Sequence, residues 1–247
     1  MLNLTFLLVH GAWHGAWCWD PLVEALDRRG SAAVSITLPG HGPEDRPGWD
    51  ISLGRYAAAV NEAAAKLDGE VHVVGHSMGG AIISAAAEAE PNHYSSLIYV
   101  AAFLLRSGER IIGEARKHGN NDMSEAATID LLRGRSSLKY EHIEKYLYNT
   151  CSSDDIKIAA THLVAQSLRP LLGKVRHSPD RWGRLPRHYI HCTQDNAIPL
   201  SHQELMVDRL PCTSVAYLDC DHSPFLSQPD ILADSLISTK SVARGSR

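Results

Sequence analysis

Short apolar runs rich in β-branched residues alternate along the chain with longer segments of helical period, the rhythm of a parallel sheet covered by helices on both faces. Leu4-Thr5-Phe6-Leu7-Leu8-Val9 is nearly continuous in apolar side chains, as befits a strand buried on both sides. Asp20-Pro21 predicts a helix with an acidic N-cap and proline in its first turn, ending near Arg29-Gly30. Ala32–Thr37 reads as the second strand and Ser52–Leu67 as an alanine-rich helix stopped by Asp68-Gly69. Val71-His72-Val73-Val74 is the third strand, followed by a helix of small residues that stops before Pro91, and Ser96–Ala101 is the fourth. Near the C-terminus, His188–Cys192 and Ser214–Leu218 read as strands around a helix over Ser201–Leu210. Ser227-Gln228-Pro229-Asp230 opens a last amphipathic helix reaching about Ser238.

One interval breaks this rhythm. From Phe103 to Gly183 the pattern is helical with no strand, whereas a parallel crossover needs only about a dozen residues. The surplus predicts a helical cap over residues 103–183, inserted between two strands of a core formed by 1–102 and 184–247. Its polar stretch Lys117–Ser124 reads as a mobile connector.

Composition narrows the function classes. The 247 residues carry 44% apolar and 21% charged side chains, which excludes disorder and fibrous repeats. No apolar run approaches the ~20 residues a bilayer requires. With 24 basic against 28 acidic residues and no Lys/Arg cluster, neither a nucleic-acid surface nor a polybasic membrane anchor is expected. Five scattered cysteines without CxxC spacing point to a reduced, cytoplasmic protein. The fourteen histidines fall into no metal-ligand spacing, so no metal is expected. Oligomeric state stays open, with a homodimer one option.

Gly75-His76-Ser77-Met78-Gly79 matches G-x-S-x-G, after an apolar strand and before a helix of small residues, where a strained nucleophile turn belongs. Glycines on both sides of Ser77 remove Cβ atoms that would collide in so sharp a turn. A serine needs a base. His222, just past the last strand, is the candidate, with an exposed turn histidine as the plainer alternative; His76 and His41 read as structural. The orienting carboxylate is expected from Asp195, 27 residues earlier, which gives the order Ser, Asp, His. Asp221 and Asp219 are rivals placed too near His222 in sequence to orient its ring. Oxyanion donors are expected from the Met78 N–H and from the turn His10-Gly11-Ala12-Trp13-His14-Gly15-Ala16-Trp17, in which Trp17 and Trp19 just beyond it read as core anchors. Trp13, Phe103, Tyr140, Tyr146 and Tyr148 are candidate pocket lining.

Together these motifs resemble the α/β-hydrolase superfamily. His10-Gly11-Ala12, continuing through His14-Gly15-Ala16-Trp17 to Trp19, resembles the branch of plant methylesterases, hydroxynitrile lyases and bacterial carboxylesterases. The resemblance covers residues 4–102 and 185–238, but not the interval between them. It implies Ser77 as nucleophile, His222 as base, Asp195 as acid, the Ala12 and Met78 amides as oxyanion hole, and no cofactor. The substrate implied is a small or medium carboxylic ester, cleaved through an acyl-enzyme. Lyases of this branch carry a threonine at the position of Gly11 or Ala12 and a lysine directly after the catalytic histidine; Ser223 stands there instead. Cyanohydrin cleavage thereby loses its cation. A lyase, a cofactor-independent oxygenase, or a ligand receptor that keeps the triad for recognition are the alternatives within the same fold.

Overall fold

Along the first strand, β1 (Leu4–Val9), consecutive side chains point to opposite faces, and all of Phe6, Leu7, Leu8 and Val9 are fully buried. Leu7 and Val9 belong to one core and Phe6 and Leu8 to another, so the strand must have helices on both sides. The computed structural model describes residues 4–117 and 123–244 and shows how this is met. In chain order come α1 (Asp20–Asp27), β2 (Ala32–Ile36), α2 (Leu53–Ala64), β3 (Glu70–His76), α3 (Gly79–Ala89) and β4 (Ser96–Val100). After a long excursion follow β8 (Arg187–Cys192), α9 (Leu200–Arg209), β9 (Ser214–Leu218), α10 (Pro224–Ser227) and α11 (Pro229–Arg244), the numbers between being taken up by the excursion.

The six strands form one sheet in the order β2-β1-β3-β4-β8-β9, and every neighbouring pair is parallel. Because all strands run the same way, the loops that follow β1, β3, β8 and β9 open at a single edge. One core packs α2 and α3 against the sheet through Tyr56, Val60, Ile82 and Ala86. The other packs α1 and α11 through Leu22, Leu26, Leu232 and Leu236, with Trp19 fully buried beside them. Trp17 is half-buried and only packs against that core.

Local signals shift by a residue or two. The α1 N-cap is Trp19, which puts Asp20 and Pro21 inside the first turn. Ser52 caps α2 by accepting from the Arg55 N–H. The last helix runs to Arg244, past the expected end near Ser238.

The excursion between β4 and β8 contains α4 (Ile111–Ala115), α5 (Met123–Ala126), β5 (Ala127–Asp130), β6 (Arg135–Leu138), α6 (Tyr140–Leu147), α7 (Ser153–His162), β7 (Gln166–Ser167) and α8 (Leu168–Leu172). The expectation of an interval without strands is corrected here. β5, β6 and β7 form a separate antiparallel sheet with β6 at its centre. Gly134, at φ +66°, closes the β5–β6 turn. The strands are too short, and β6 and β7 too polar, to show alternation in the sequence. Ile143, Tyr146, Leu147, Tyr148 and Ile156 give the cap a core of its own. Of the Lys117–Ser124 connector, residues 118–122 lie outside the described residues.

Candidate active site

Ser77 stands between the end of β3 and the start of α3 with φ at +53°, a left-handed conformation that a side chain rarely adopts. The surrounding glycines have steric reasons. A Cβ at Gly75 would lie 2.6 Å from the Gly79 carbonyl oxygen, and one at Gly79 would lie 2.7 Å from the Val9 oxygen. The Ser77 carbonyl accepts from the Gly80 and Phe103 N–H groups, which fixes the turn from behind. The hydroxyl faces a cavity of about 520 Å³ whose walls are mostly apolar. Ala12, Met78 and His222 line the same cavity.

The loops after β8 and β9 bring Asp195 and His222 together. His222 Nδ1–H donates to Asp195 Oδ2 at 2.7 Å, with both side chains almost wholly buried. The other carboxylate oxygen, Oδ1, accepts from the Ala197 and Ile198 N–H groups at 2.7 and 2.8 Å. Gln203, fully buried on α9, donates from Nε2 to Asp195 Oδ2 at 3.1 Å and to the Ile198 carbonyl at 2.7 Å. Its Oε1 accepts from the Cys192 N–H at 3.2 Å. The carboxylate is therefore held by four donors, and the imidazole Nε2 is left as an acceptor, with His222 and Ser77 lining the same cavity. No hydrogen bond joins Ser77 to His222 among the described residues, and such bonds commonly tighten only when substrate binds.

Neither the Ala12 nor the Met78 N–H donates to a protein acceptor among the described residues. The loop that carries Ala12 is pinned by two buried histidines. Leu38 N–H donates to His10 Nε2 at 3.1 Å, so Nδ1 carries the proton and donates to the Gly11 oxygen at 2.7 Å. Tyr148 O–H donates to His14 Nε2 at 2.7 Å, and His14 Nδ1 donates to the Ala12 oxygen at 2.8 Å. Burial holds His10 well below the usual imidazole range, and burial also takes His14 down to about 4, so both rings are neutral. His76, held neutral by burial in the same way, donates from Nε2 to the His222 carbonyl at 2.7 Å, a structural contact. His41 Nε2 bonds the Gln166 side chain at 3.0 Å inside the cap contact.

Asp221 does not orient the His222 ring. Its carboxylate accepts from Ser223 N–H and Ser227 O–H on one oxygen and from Thr150 N–H and Cys151 Sγ–H on the other. It thus ties the His222 loop to the cap. Asp219 accepts from Thr193 and Gln194, on the surface.

Of the expected pocket residues, Trp13 and Phe103 line the cavity. The expectation for Tyr140 and Tyr146 is corrected. Tyr140 is 67% exposed and borders a separate cavity of about 160 Å³, while Tyr146 is buried in the cap core with its hydroxyl on Glu125. Both sit on α6, from which Leu147, at its C-terminal end, is the residue that reaches the Ser77 cavity among the described residues. Tyr148 likewise serves the Ala12 loop. The cap wall is instead mainly aliphatic, with Ile111, Ile112, Ile129, Leu147, Leu168 and Leu171, and carries a cation, Arg116 at the end of α4. Gln203, His14 and Asp221 carry the site's supporting bonds. The only trace of Gln203 in the sequence is a polar residue on an otherwise apolar helix face.

With this geometry in view, the comparisons with known proteins are specific. The family model described as "Alpha/beta hydrolase family" matches residues 6–235. The chain belongs to the alpha/beta hydrolase family. Among its relatives, a protein described as putative methylesterase 11, chloroplastic, from Arabidopsis thaliana is 32% identical over 94% of this chain, which spans 63% of that protein's length. Methylesterase 7 of Arabidopsis thaliana is 30% identical over 94% of both chains. A pyrethroid hydrolase of Sphingobium wenxiniae is 28% identical over 96% of this chain and 87% of its own. Among solved structures, a methylesterase from Arabidopsis superposes with a TM-score of 0.83 at 28% identity, covering 96% of this chain and 99% of its own.

Proposed function

We propose that this chain is a serine hydrolase of small or medium carboxylic esters. The observation that carries the reading is the carboxylate–imidazole pair Asp195–His222, at 2.7 Å, opening into the one cavity that also holds the left-handed Ser77 and the Ala12 and Met78 amides. Ser77 Oγ attacks the ester carbonyl while His222 Nε2 takes its proton, and Asp195 stabilises the imidazolium and keeps the tautomer. The unoccupied N–H groups of Ala12 and Met78 meet the oxyanion, at the start of α3, where the helix end favours negative charge. His222 then protonates the departing alcohol. Water, deprotonated by the same ring, releases the acid and restores Ser77. None of these steps calls on a cofactor or on a second copy of the chain.

Hydrolysis is preferred over cyanohydrin cleavage because Ser223, the residue after His222, is fully buried and brings no cation beside the imidazole; the cation on the cavity wall, Arg116, belongs to the end of α4 in the cap. The methylesterase and pyrethroid hydrolase names of the relatives support an ester substrate. The five free cysteines support a reducing compartment, the cytoplasm in our reading. Among the described residues no helix is long and apolar enough to cross a membrane.

The test is Ser77→Ala with a p-nitrophenyl ester, together with fluorophosphonate labelling. Turnover is expected to fall by at least about a thousandfold with the melting temperature retained, and the label to map to Ser77. Undiminished turnover, or a label elsewhere, would remove the assignment.

A further inference from the structure

Among the described residues, beyond Ser77 and His222 the cavity wall is apolar except at Arg116, which is exposed, and at Ser136, which is buried. Ser136 lies on β6, the central strand of the cap sheet, paired through Ile129 on one side and Gln166 on the other. Its side chain is 4% exposed and borders the cavity. Trp13 Nε1–H donates to Ser136 Oγ at 3.2 Å. An indole nitrogen can only donate, so Ser136 must be the acceptor in that bond and its own proton is left to give. No acceptor for that proton exists among the described residues.

Trp13 itself is unusual. Its φ is +63°, and its carbonyl accepts from the Val164 N–H of the cap at 2.9 Å. The residue next to Ala12 is thus held in a strained conformation whose indole aims at the cap strand and sets the direction of the Ser136 hydroxyl. A buried hydroxyl with a free proton in an apolar wall is unfavourable unless something accepts from it. Here the thing in reach is the occupant of the cavity.

We propose that Ser136 is a specificity-determining donor: the substrate is an ester whose apolar body carries an acceptor oxygen, carbonyl or ether, at a distance from the scissile bond set by the Trp13 indole. This rests on the hydrolase reading above and adds to it the class of ester. An aliphatic ester of the same shape leaves the hydroxyl unpaired, and the enzyme should disfavour it. The Ser136 position on a doubly paired strand makes the preference sharp in position as well as in kind.

The experiment is a scan. Straight-chain p-nitrophenyl esters are compared with isosteres in which one methylene is replaced by an ether oxygen or a ketone, moved along the acyl chain. A second series moves the oxygen along the alcohol of non-activated esters. For the wild-type protein, kcat/KM is expected to rise by roughly tenfold for the oxygen at one position over its all-carbon parent. The rise should disappear in Ser136→Ala, be partly kept in Ser136→Cys, and be blurred over neighbouring positions in Trp13→Phe. Dividing each wild-type ratio by the Ser136→Ala ratio cancels the intrinsic reactivity of the ester. A flat scan, or a preference that survives Ser136→Ala, overturns the proposal. No turnover of even the all-carbon parents by the wild-type protein would instead be a failure of the hydrolase reading, and the two results are distinguishable.

Discussion

His14 makes a quantitative link between burial and acid stability. Its ring is enclosed between the Ala12 carbonyl, the Tyr148 hydroxyl and the rings of Trp17 and Phe225, and is 1% exposed. Desolvation takes its pKa down from 6.5 to about 4: burial penalises the charged ring by more than the bond to the Ala12 carbonyl favours it. In the unfolded chain the ring titrates near 6.5. Below that pH the unfolded state holds more protons than the native one, so acid favours unfolding, and the loss accrues from 6.5 down to about 4. At 1.36 kcal/mol per pH unit, a fall from 6.5 to about 4 amounts to at most about 3.4 kcal/mol, of which about 2 kcal/mol is already lost at pH 5. Above pH 7 both states hold the ring neutral and no penalty remains.

His14→Gln removes this titration while keeping an amide in reach of the Tyr148 hydroxyl. Urea unfolding of both proteins at pH 7.5 and pH 5.0 gives the four free energies needed. The wild-type protein should lose about 2 kcal/mol more than the variant between the two pH values, whatever stability the substitution costs at pH 7.5. His10 and His76 are also held neutral, chiefly by their own burial, which the substitution leaves in place, so most of their acid loss is common to both proteins. Equal losses in the two proteins would mean that the native His14 accepts a proton without penalty, and the account of the Ala12 loop as held by a neutral histidine would fail.

Two further outcomes follow from the site. Gln203→Leu keeps the volume but withdraws a donor from Asp195 and from the Ile198 carbonyl, so kcat of an ester substrate should fall by about 10- to 100-fold with KM nearly unchanged, a split measured by steady-state kinetics. Gly79→Ala drives a Cβ against the Val9 oxygen, a backbone atom that cannot step aside, and a thermal melt should show Tm lower by at least about 4 °C.

The parts that could be read from the chain are those in which each residue answers to its own neighbours. Phe6, Leu7, Leu8 and Val9 must be buried on both faces, so a parallel sheet between helices is written into one strand. Gly75 and Gly79 flank Ser77 because the turn leaves no room for a Cβ, a local demand that shows as a local motif. Asp195 and His222 could be paired because each follows a recognisable strand and all strands end at one edge. The cap resisted for the opposite reason. Arg135-Ser136-Ser137-Leu138 is a strand through its pairing with Ala127–Asp130 and Gln166-Ser167, not through its own pattern. Tyr140 and Tyr146 share a helix, but one faces solvent and the other the cap core, a division set by where α7 packs. Gln203 gains its meaning only when the loop after β8 folds back over α9 and offers it a carboxylate and a carbonyl.

The bonds between cap and core bear on how such a site diversifies. Three loops of the site are attached to the cap: the Ala12 loop through Tyr148–His14 and Val164–Trp13, the Asp195 loop through Asn149 Nδ2 to the Gln194 oxygen and Asn196 Nδ2 to the Lys145 oxygen, the His222 loop through Thr150 and Cys151 to Asp221. The segment from Lys145 to Cys151 is common to all three sets. A lid that swung as a rigid body would break these bonds together and leave Asp221, fully buried, without partners on one oxygen. Substrate entry is therefore expected by way of the wall formed by α4 and β5, through Ile112, Ala115, Ala127 and Ile129, while the 145–151 segment stays clamped. In this arrangement the aliphatic wall outside the clamp (Ile111, Ile112, Ile129, Leu168 and Leu171) can change without disturbing the triad, whereas a change in the clamp, which carries Leu147, alters the chemistry and the pocket at once.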